Sequence, residues 1–266
     1  MFVNPAFTQI TGYTLDEIAG KNPSIFQSGR HNKEFYTEMW RSLEQTGKWS
    51  GEIWNRRKNG ETLPQLQTIR LIRDENGLTS YNVAVFTDIS ILKRSQSELS
   101  FLAHYDPLTN LSNRLQMHQH IKLALSRALQ NKTQAALFII DLDHFKNVNE
   151  SLGHSLGDEL LKATAERLTQ FLANNTSLSR FSGDEFAVVF EDIRSAEEAA
   201  NLAQQLLVLF DSAFHVENNE LFVTASIGIC LFPSSGQSAE DVLRHADSAL
   251  SKAKTMGRAT FAFYTT

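Results

Sequence analysis

Residues 135–140, Ala-Ala-Leu-Phe-Ile-Ile, form an unbroken apolar run of strand length. A run this short, without alternation, predicts a strand covered on both faces. Downstream, apolar segments at 177–181 and 186–190 flank Ser182-Gly183-Asp184, whose turn chemistry predicts a β-hairpin. A further strand pattern covers 220–232. Helical spacing runs to Gln130 with Leu115, Ile121, Leu125 and Leu129 as its apolar face, and recurs over 155–173, 195–210 and 238–255. Helices alternating with strands predict an α/β or α+β unit with a mixed sheet. The first part of the chain reads differently. A strand at 2–4 runs into a short helix from Pro5 that ends near Gly12. A helical pattern follows over 32–46 through Phe35, Met39, Trp40 and Leu43. Strands are expected at 48–58, 62–73 and 80–89, punctuated by Asn59-Gly60 and by a turn at 74–77. Between the two parts, Leu92, Ser95, Leu99 and Leu102 fall at 3,4,3 spacing, the seam of a short coiled coil or the apolar face of a packed helix.

Composition adds limits. The length of 266 residues and a hydrophobic content of 42% suit one or two cores. Residues 1–95 carry 12 Lys+Arg against 10 Asp+Glu, whereas 96–266 carry 13 against 20. The acidic second part is a poor match to a nucleic-acid backbone, which calls for basic patches. It can still take a nucleoside triphosphate where a metal offsets the charge. One cysteine, Cys230, in an apolar strand pattern, makes an intrachain disulfide impossible and fits a reducing compartment. No apolar stretch reaches the ~18 residues of a membrane span, and there is no secretory leader pattern. A cytoplasmic setting is expected, with any membrane attachment supplied by segments outside these residues.

The chemistry concentrates at two acidic clusters. The buried strand ends in Asp141-Leu142-Asp143, and the hairpin tip carries Asp184 and Glu185. Carboxylates at the carboxyl end of a buried strand lie where open α/β sheets bind ligands. Adjacent residues on extended chain face opposite sides, so Asp184 and Glu185 can serve different groups. Gly183 permits close approach of a phosphate or ribose. Two clusters of hard oxygen ligands suggest a divalent metal. A solvated acidic turn is the plain alternative for the hairpin taken alone.

Five motifs follow in a recognisable order: Asp141-Leu142-Asp143-His144-Phe145-Lys146, Gly153-His154-x-x-Gly157-Asp158, Arg180-Phe181-Ser182-Gly183-Asp184-Glu185-Phe186, Ser226-Ile227-Gly228 and Ala253-Lys254-x-x-Gly257-Arg258. In this order they resemble the GGDEF family of diguanylate cyclases, over residues 105–264. The opening Asp106-Pro107-Leu108-Thr109-Asn110 resembles the family's entry motif. Asn110 stands for a usual Gly and is expected at positive φ. The resemblance implies condensation of two GTP into cyclic di-GMP on Mg²⁺ or Mn²⁺, in a fold similar to nucleotidyl cyclases and polymerase palms. It implies metal ligation by Asp141, the Leu142 carbonyl and Asp184, with Glu185 either completing the ligand set or taking the 3′-hydroxyl proton. Asn149 and Asp158 would read guanine. Backbone N–H groups of His144, Phe145 and Lys146 would hold the β- and γ-phosphates, and Lys254 and Arg258 would add cationic contacts. Ser182 and Gly183 would lie against the nucleotide. Asp143 is expected to cap the helix that follows, and Gly153 and His154 to shape the next turn. Three departures stand out. Ser182 replaces the first Gly of the signature, and Ser251 replaces a common Tyr. Residues 173–176, Ala-Asn-Asn-Thr, lack the Arg-x-x-Asp of the family's feedback site, so that site is expected to be absent.

Residues 1–89 resemble a PAS sensor domain through Asn4-Pro5-Ala6-Phe7, Thr11-Gly12-Tyr13, Gly47-x-Trp49-x-Gly51-Glu52 and Asp88-Ile89-Ser90. The likeness implies an antiparallel sheet whose opening strand these residues do not supply, so the sensor is expected to be incomplete at its N-terminus. It leaves the ligand unnamed among flavin, haem, a metabolite or none. Pro23 stands where flavin photosensors have their reactive cysteine, which excludes a cysteinyl-flavin adduct. His31 is a capping or surface residue rather than a haem ligand, and Trp49 and Trp54 are core aromatics rather than a ligand stack. The expected architecture is α+β: a PAS-like domain at 1–89, a linker helix at 90–104 and a GGDEF domain at 105–266. Homodimerisation would run through the linker and the cyclase domains. Residues 261–265 resemble the junction before an EAL phosphodiesterase domain, so a GTP-binding regulator of such a neighbour is the second reading.

Overall fold

The computed structural model describes residues 2–75, 79–172 and 176–265. The second half of the turn expected at 74–77 and most of the 173–176 window therefore lie outside the described residues. The chain separates into two compact units, residues 1–99 and 100–266.

In the first unit, α1 (Pro5–Thr11) starts at Asn4, whose side chain accepts from the Phe7 N–H, and ends at Gly12 with φ 78°. No strand precedes it among the described residues. A four-residue helix, α2 (Leu15–Ile18), and a 3₁₀ turn (Pro23–Phe26) lead to α3 (Lys33–Thr46), capped by Asn32. Three antiparallel strands follow in spatial order: β1 (Lys48–Arg56), β2 (Thr62–Arg73) and β3 (Thr79–Asp88). Met39 and Leu43 of α3 pack on Ile53 and Ile69 of the sheet, while Trp40, expected on that face, is exposed. Trp49 joins this core. Trp54 instead carries the Arg30 guanidinium 3.8 Å from its ring. His31 is neither cap nor surface residue. Its ring stacks on Phe35 and its Nε2 accepts from the Trp54 N–H at 2.9 Å. Burial, and secondarily Arg30, lower its pKa, which keeps that nitrogen an acceptor.

Asp88 closes this unit. Its carboxylate accepts from Arg57 Nη2 at 2.6 Å and from the Ser90 N–H at 2.8 Å. Burial raises its pKa, but the Ser90 and Arg57 contacts outweigh that and leave it lowered. It thereby satisfies a backbone donor at the start of α4 (Ser90–His104). This helix buries none of its residues, and Ile91, Leu92, Leu99 and Leu102 are all exposed.

The second unit is a sheet covered on both faces. Its strands are β4 (Gln134–Leu142), β5 (Ser177–Ser182), β6 (Glu185–Ile193), β9 (Ala225–Phe232) and β10 (Phe261–Phe263), in the order β10-β9-β4-β6-β5. β10 runs parallel to β9 and the other pairs are antiparallel, giving the mixed sheet. The apolar run is β4, at the centre. Phe138, Ile140 and Leu142 face one core with α7 (His154–Phe171) and α8 (Ala196–Val208). Leu137 and Ile139 face the other with α5 (Arg114–Asn131) and α9 (Ala239–Thr255). On α5 the buried face is Met117, Ile121, Ala124, Leu125 and Ala128, while Leu115 and Leu129 are exposed. Position on the helix, set by the sheet, overrides side-chain size there. The strand expected at 220–232 is two pieces: β8 (Asn219–Leu221) pairs with β7 (Phe214–Val216), and β9 joins the main sheet.

α9 lies directly on β9 at Gly228. A Cβ there would fall 2.2 Å from the Ala246 carbonyl oxygen and 2.3 Å from the Leu250 nitrogen. Glycine is therefore required by the close approach of helix to strand. Overpacking of this kind costs about 1–3 kcal/mol. Cys230, two residues on, is fully buried, and burial pushes its thiol pKa up to about 12. As the single cysteine, it reports opening of this unit alone. Gly228→Ala is expected to speed Cys230 labelling by a thiol reagent at least about fivefold, the factor that ~1 kcal/mol gives. Unchanged labelling would mean that α9 does not press on β9 at this point.

Candidate active site

β4, the central strand, carries Asp141 at its carboxyl end, beside the hairpin tip. In register, Asp141 lies opposite Glu185 of β6 on one side and Ser226 of β9 on the other. The Leu142 N–H donates to the Asp184 carbonyl at 3.3 Å, which ties the tip to the end of β4. Asp184 and Glu185 are half-buried, and Asp141 is 6% exposed. Lys254 Nζ, from the last turn of α9, sits 2.7 Å from Asp141 Oδ2. The Asp141 pKa is raised to about 6. Burial is the main cause. The Lys254 hydrogen bond and charge oppose it, and the negative charges of Asp184 and Glu185 add to it.

The tip is held from behind. Arg180 donates through Nε and Nη2 to the Gly183 carbonyl at 2.9 and 2.8 Å, and its Nη1 pairs with Asp106 Oδ1 at 3.1 Å. Asp106 also accepts from Thr109 N–H and Oγ1, at 2.8 and 2.7 Å. Burial raises the Asp106 pKa, and these donors outweigh it, so the carboxyl sits below its usual range. Asn110 has φ 58°, as expected for the residue in place of glycine. Gly183 takes φ 46°, whereas Ser182 is not among the residues at positive φ. Ser182 Oγ instead donates to Glu185 Oε2 at 2.5 Å.

α6 (Phe145–Leu152) leaves the same end of β4. His144 is its N-cap, at φ 60°, with no side-chain cap bond. The His144, Phe145 and Lys146 N–H groups have no acceptor within the helix, whereas the Asn147 N–H donates to the His144 carbonyl at 2.8 Å. Phe145 is buried, and the Lys146 side chain is exposed, 3.5 Å from Glu150. Asn149 lies on α6 against α7. Its Oδ1 is buried without a partner, and a Cβ on Gly157 would fall 1.9 Å from it. The absence of a side chain at Gly157 thus leaves room for the Asn149 amide. Asp158, the next residue on α7, is exposed. Gly153, at φ 88°, makes the junction between α6 and α7.

The expected helix cap is elsewhere. The Asp143 carboxylate accepts from Thr224 Oγ1 and Ser226 Oγ, each at 2.7 Å, and from the Ala259 N–H at 3.0 Å, with Arg258 Nε 4.0 Å away. Asp106, Arg180, Thr224 and Ser226 were not singled out for roles. Asp106, Arg180 and Ser226 all lie inside the motifs that carry the resemblance, whereas Thr224 lies in none and meets its partner 81 residues away.

A family model described as diguanylate cyclase, GGDEF domain, matches residues 103–260, and a PAS domain model matches residues 1–90. The chain belongs to the GGDEF family. Among curated relatives of this GGDEF chain, the bifunctional diguanylate cyclase/cyclic di-GMP phosphodiesterase MucR of Pseudomonas aeruginosa is 36% identical over 173 residues, 65% of this chain and 25% of MucR. The cyclic di-GMP phosphodiesterase NbdA of the same species is 35% identical over 70% of this chain and 24% of its own length. The chain thus spans about a quarter of these relatives. Among solved structures, the GGDEF domain of TpbB (YfiN) from P. aeruginosa matches with TM-score 0.59 and 30% identity, covering 61% of this chain and 95% of that one. The coiled coil and GGDEF domain of DgcB from Caulobacter crescentus, in complex with c-di-GMP, matches with TM-score 0.59 and 26% identity, covering 66% and 93%.

If Arg180 is what holds the GGDEF tip to β4, Arg180→Met is expected to speed hydrogen exchange of the Leu142 amide at least about tenfold, about 1.4 kcal/mol of opening. Exchange as slow as in the unsubstituted chain would assign the tip's position to the hairpin alone.

Proposed function

We propose that this chain is a diguanylate cyclase, joining two GTP into cyclic di-GMP with loss of two pyrophosphates, under control of a PAS sensor. The division proposed is a sensor at 1–89, a linker helix at 90–104 and a cyclase domain at 105–266. The observation that carries the reading is the meeting of Asp141, Glu185 and Lys254 at the end of β4.

Among the described residues, no group of three or more His, Cys, Asp or Glu side chains is gathered closely enough to hold a metal. The donor set nonetheless fits a hard divalent cation in kind. Asp141 is a buried carboxylate facing two more carboxylates and balanced by a lysine alone. Asp141, the Leu142 carbonyl, Asp184 and Glu185 would hold Mg²⁺ or Mn²⁺. When bound, the ion would supply charge neutralisation at the phosphates and ease ionisation of the 3′-hydroxyl.

The protein's own part is positioning. Asn149 offers a buried, unpartnered amide oxygen, and Asp158 an exposed carboxylate that can accept from guanine N1 and N2 hydrogens. The first-turn N–H groups of α6, at His144, Phe145 and Lys146, suit β- and γ-phosphate oxygens. Lys254 and Arg258 add cations, Lys254 by exchanging Asp141 for phosphate. Gly183 and Ser182 line the approach of the ribose and α-phosphate. Glu185, fixed by the Ser182 hydroxyl, is the group that would take the 3′-hydroxyl proton. One such site holds one GTP, so bond formation requires two cyclase domains face to face. The exposed Leu92, Leu99 and Leu102 of α4 suit pairing of two copies. Among the described residues no helix is long and apolar enough to cross a membrane.

The relatives named as phosphodiesterases favour keeping a second reading, a GTP-binding domain that regulates a neighbouring EAL domain. Incubation with GTP and Mg²⁺ separates the two: cyclic di-GMP should form, and Asp141→Ala or Asp184→Ala should abolish it. GTP binding without product would favour the regulatory reading. Ser182 sits in strand geometry, so nothing in its backbone demands glycine. Ser182→Gly is therefore expected to change turnover by less than about tenfold. Product from Ser182→Gly alone would make the native serine the inactivating residue.

A further inference from the structure

The segment after α9 adopts an unfavourable backbone. Gly257, Arg258 and Ala259 have φ of 114°, 65° and 48° in succession. Two consecutive non-glycine residues in the left-handed region persist only where their surroundings over-determine them. The carboxylate of Asp143 does this. Its side chain is 1% exposed, and its Oδ2 accepts from the Ala259 N–H at 3.0 Å and from Thr224 Oγ1 at 2.7 Å, while its Oδ1 accepts from Ser226 Oγ at 2.7 Å. Its own N–H donates to the Thr224 carbonyl at 2.8 Å. Arg258 meets the same carboxylate through Nε at 4.0 Å, with its side chain 44% exposed. Asp143 lies two residues beyond Asp141, and the turn it holds both ends the helix that carries Lys254 and carries Arg258.

We propose that Asp143 is a positioning residue for the triphosphate: it fixes the 257–259 turn so that Arg258, beside Lys254, stands at a set distance from the Asp141 end of β4. This rests on the reading of the site as a GTP site. It assigns to Asp143 neither ligation nor proton transfer. A carboxylate that served only to fill the core would not need to spend its acceptors on a turn bearing a solvent-exposed arginine.

The test compares GTP with GMP, which shares the base and sugar but lacks the β- and γ-phosphates. Dissociation constants for both are measured on the full chain by titration calorimetry with Mg²⁺ present. Asp143→Asn is expected to cut the preference for GTP over GMP at least about fivefold, with GMP affinity within about twofold of the parent. Thr224→Val with Ser226→Ala, which loosens the carboxylate without removing it, should shift the preference the same way and less. In a cycle with Arg258→Met, the two losses should not add, because both act through one guanidinium. Cys230 labelling confirms that each variant is folded. If Asp143→Asn is misfolded, the hydroxyl variant and its cycle with Arg258→Met decide the matter. A folded Asp143→Asn or hydroxyl variant that keeps the parent's preference overturns the proposal alone, as does strict additivity with Arg258→Met. A parent chain that binds neither nucleotide overturns the GTP-site reading, and the proposal with it.

Discussion

A carboxylate at the end of a strand covered on both faces has little water to hydrate it, and the site is arranged around how that cost is met. Asp141 is such a group. One cation, Lys254, reaches it, and two further carboxylates oppose its charge. Burying charge without full compensation is expensive. In the proposed reading, Asp141 would hold a divalent cation in place of Lys254, whose ammonium would then be free for another anion. The helix that brings Lys254 is fixed by backbone contact at Gly228. That leaves the lysine side chain, rather than the helix, as the part able to move.

Around this centre, the hairpin tip and the turn after α9 are placed by contacts remote in sequence. The hairpin tip is held by Arg180 against Asp106, 74 residues away. The Asn149 amide has its room because Gly157 carries no side chain. The turn after α9 is held by Asp143, 116 residues before Ala259.

What could be read from the chain alone divides along that line. Features set by local chemistry were legible: the doubly buried β4 from its apolar run, the hairpin from Ser-Gly-Asp, and the positive φ of Asn110 from its place in the entry motif. Asp143 was misread because a cap is inferred from neighbours along the chain, whereas its partners come from β9 and the turn beyond α9. The face of α5 was misread for a related reason. Large side chains at 115 and 129 suggested burial, but the sheet selects the face of Met117, Ile121, Ala124, Leu125 and Ala128, on which the two alanines allow close packing. His31 followed the same rule: its place before a helix suggested a cap, while its partner is the Trp54 N–H on a neighbouring strand.

The exposed stripe on α4 has a consequence for order itself. The helix has 15 residues and no buried face. Isolated helices of about 12–15 residues are marginal in water, because nucleation is costly and little remains to offset it. Asp88 supports the first turn, and Lys93 and Arg94 pair with Glu52 and Glu61, but no side chain of the helix is buried. Whatever covers Leu92, Leu99 and Leu102 adds to the helix's stability as it gains its own binding energy. Were a second copy the cover, helicity of this segment and occupancy of its apolar stripe would be one equilibrium, and both would shift together with concentration.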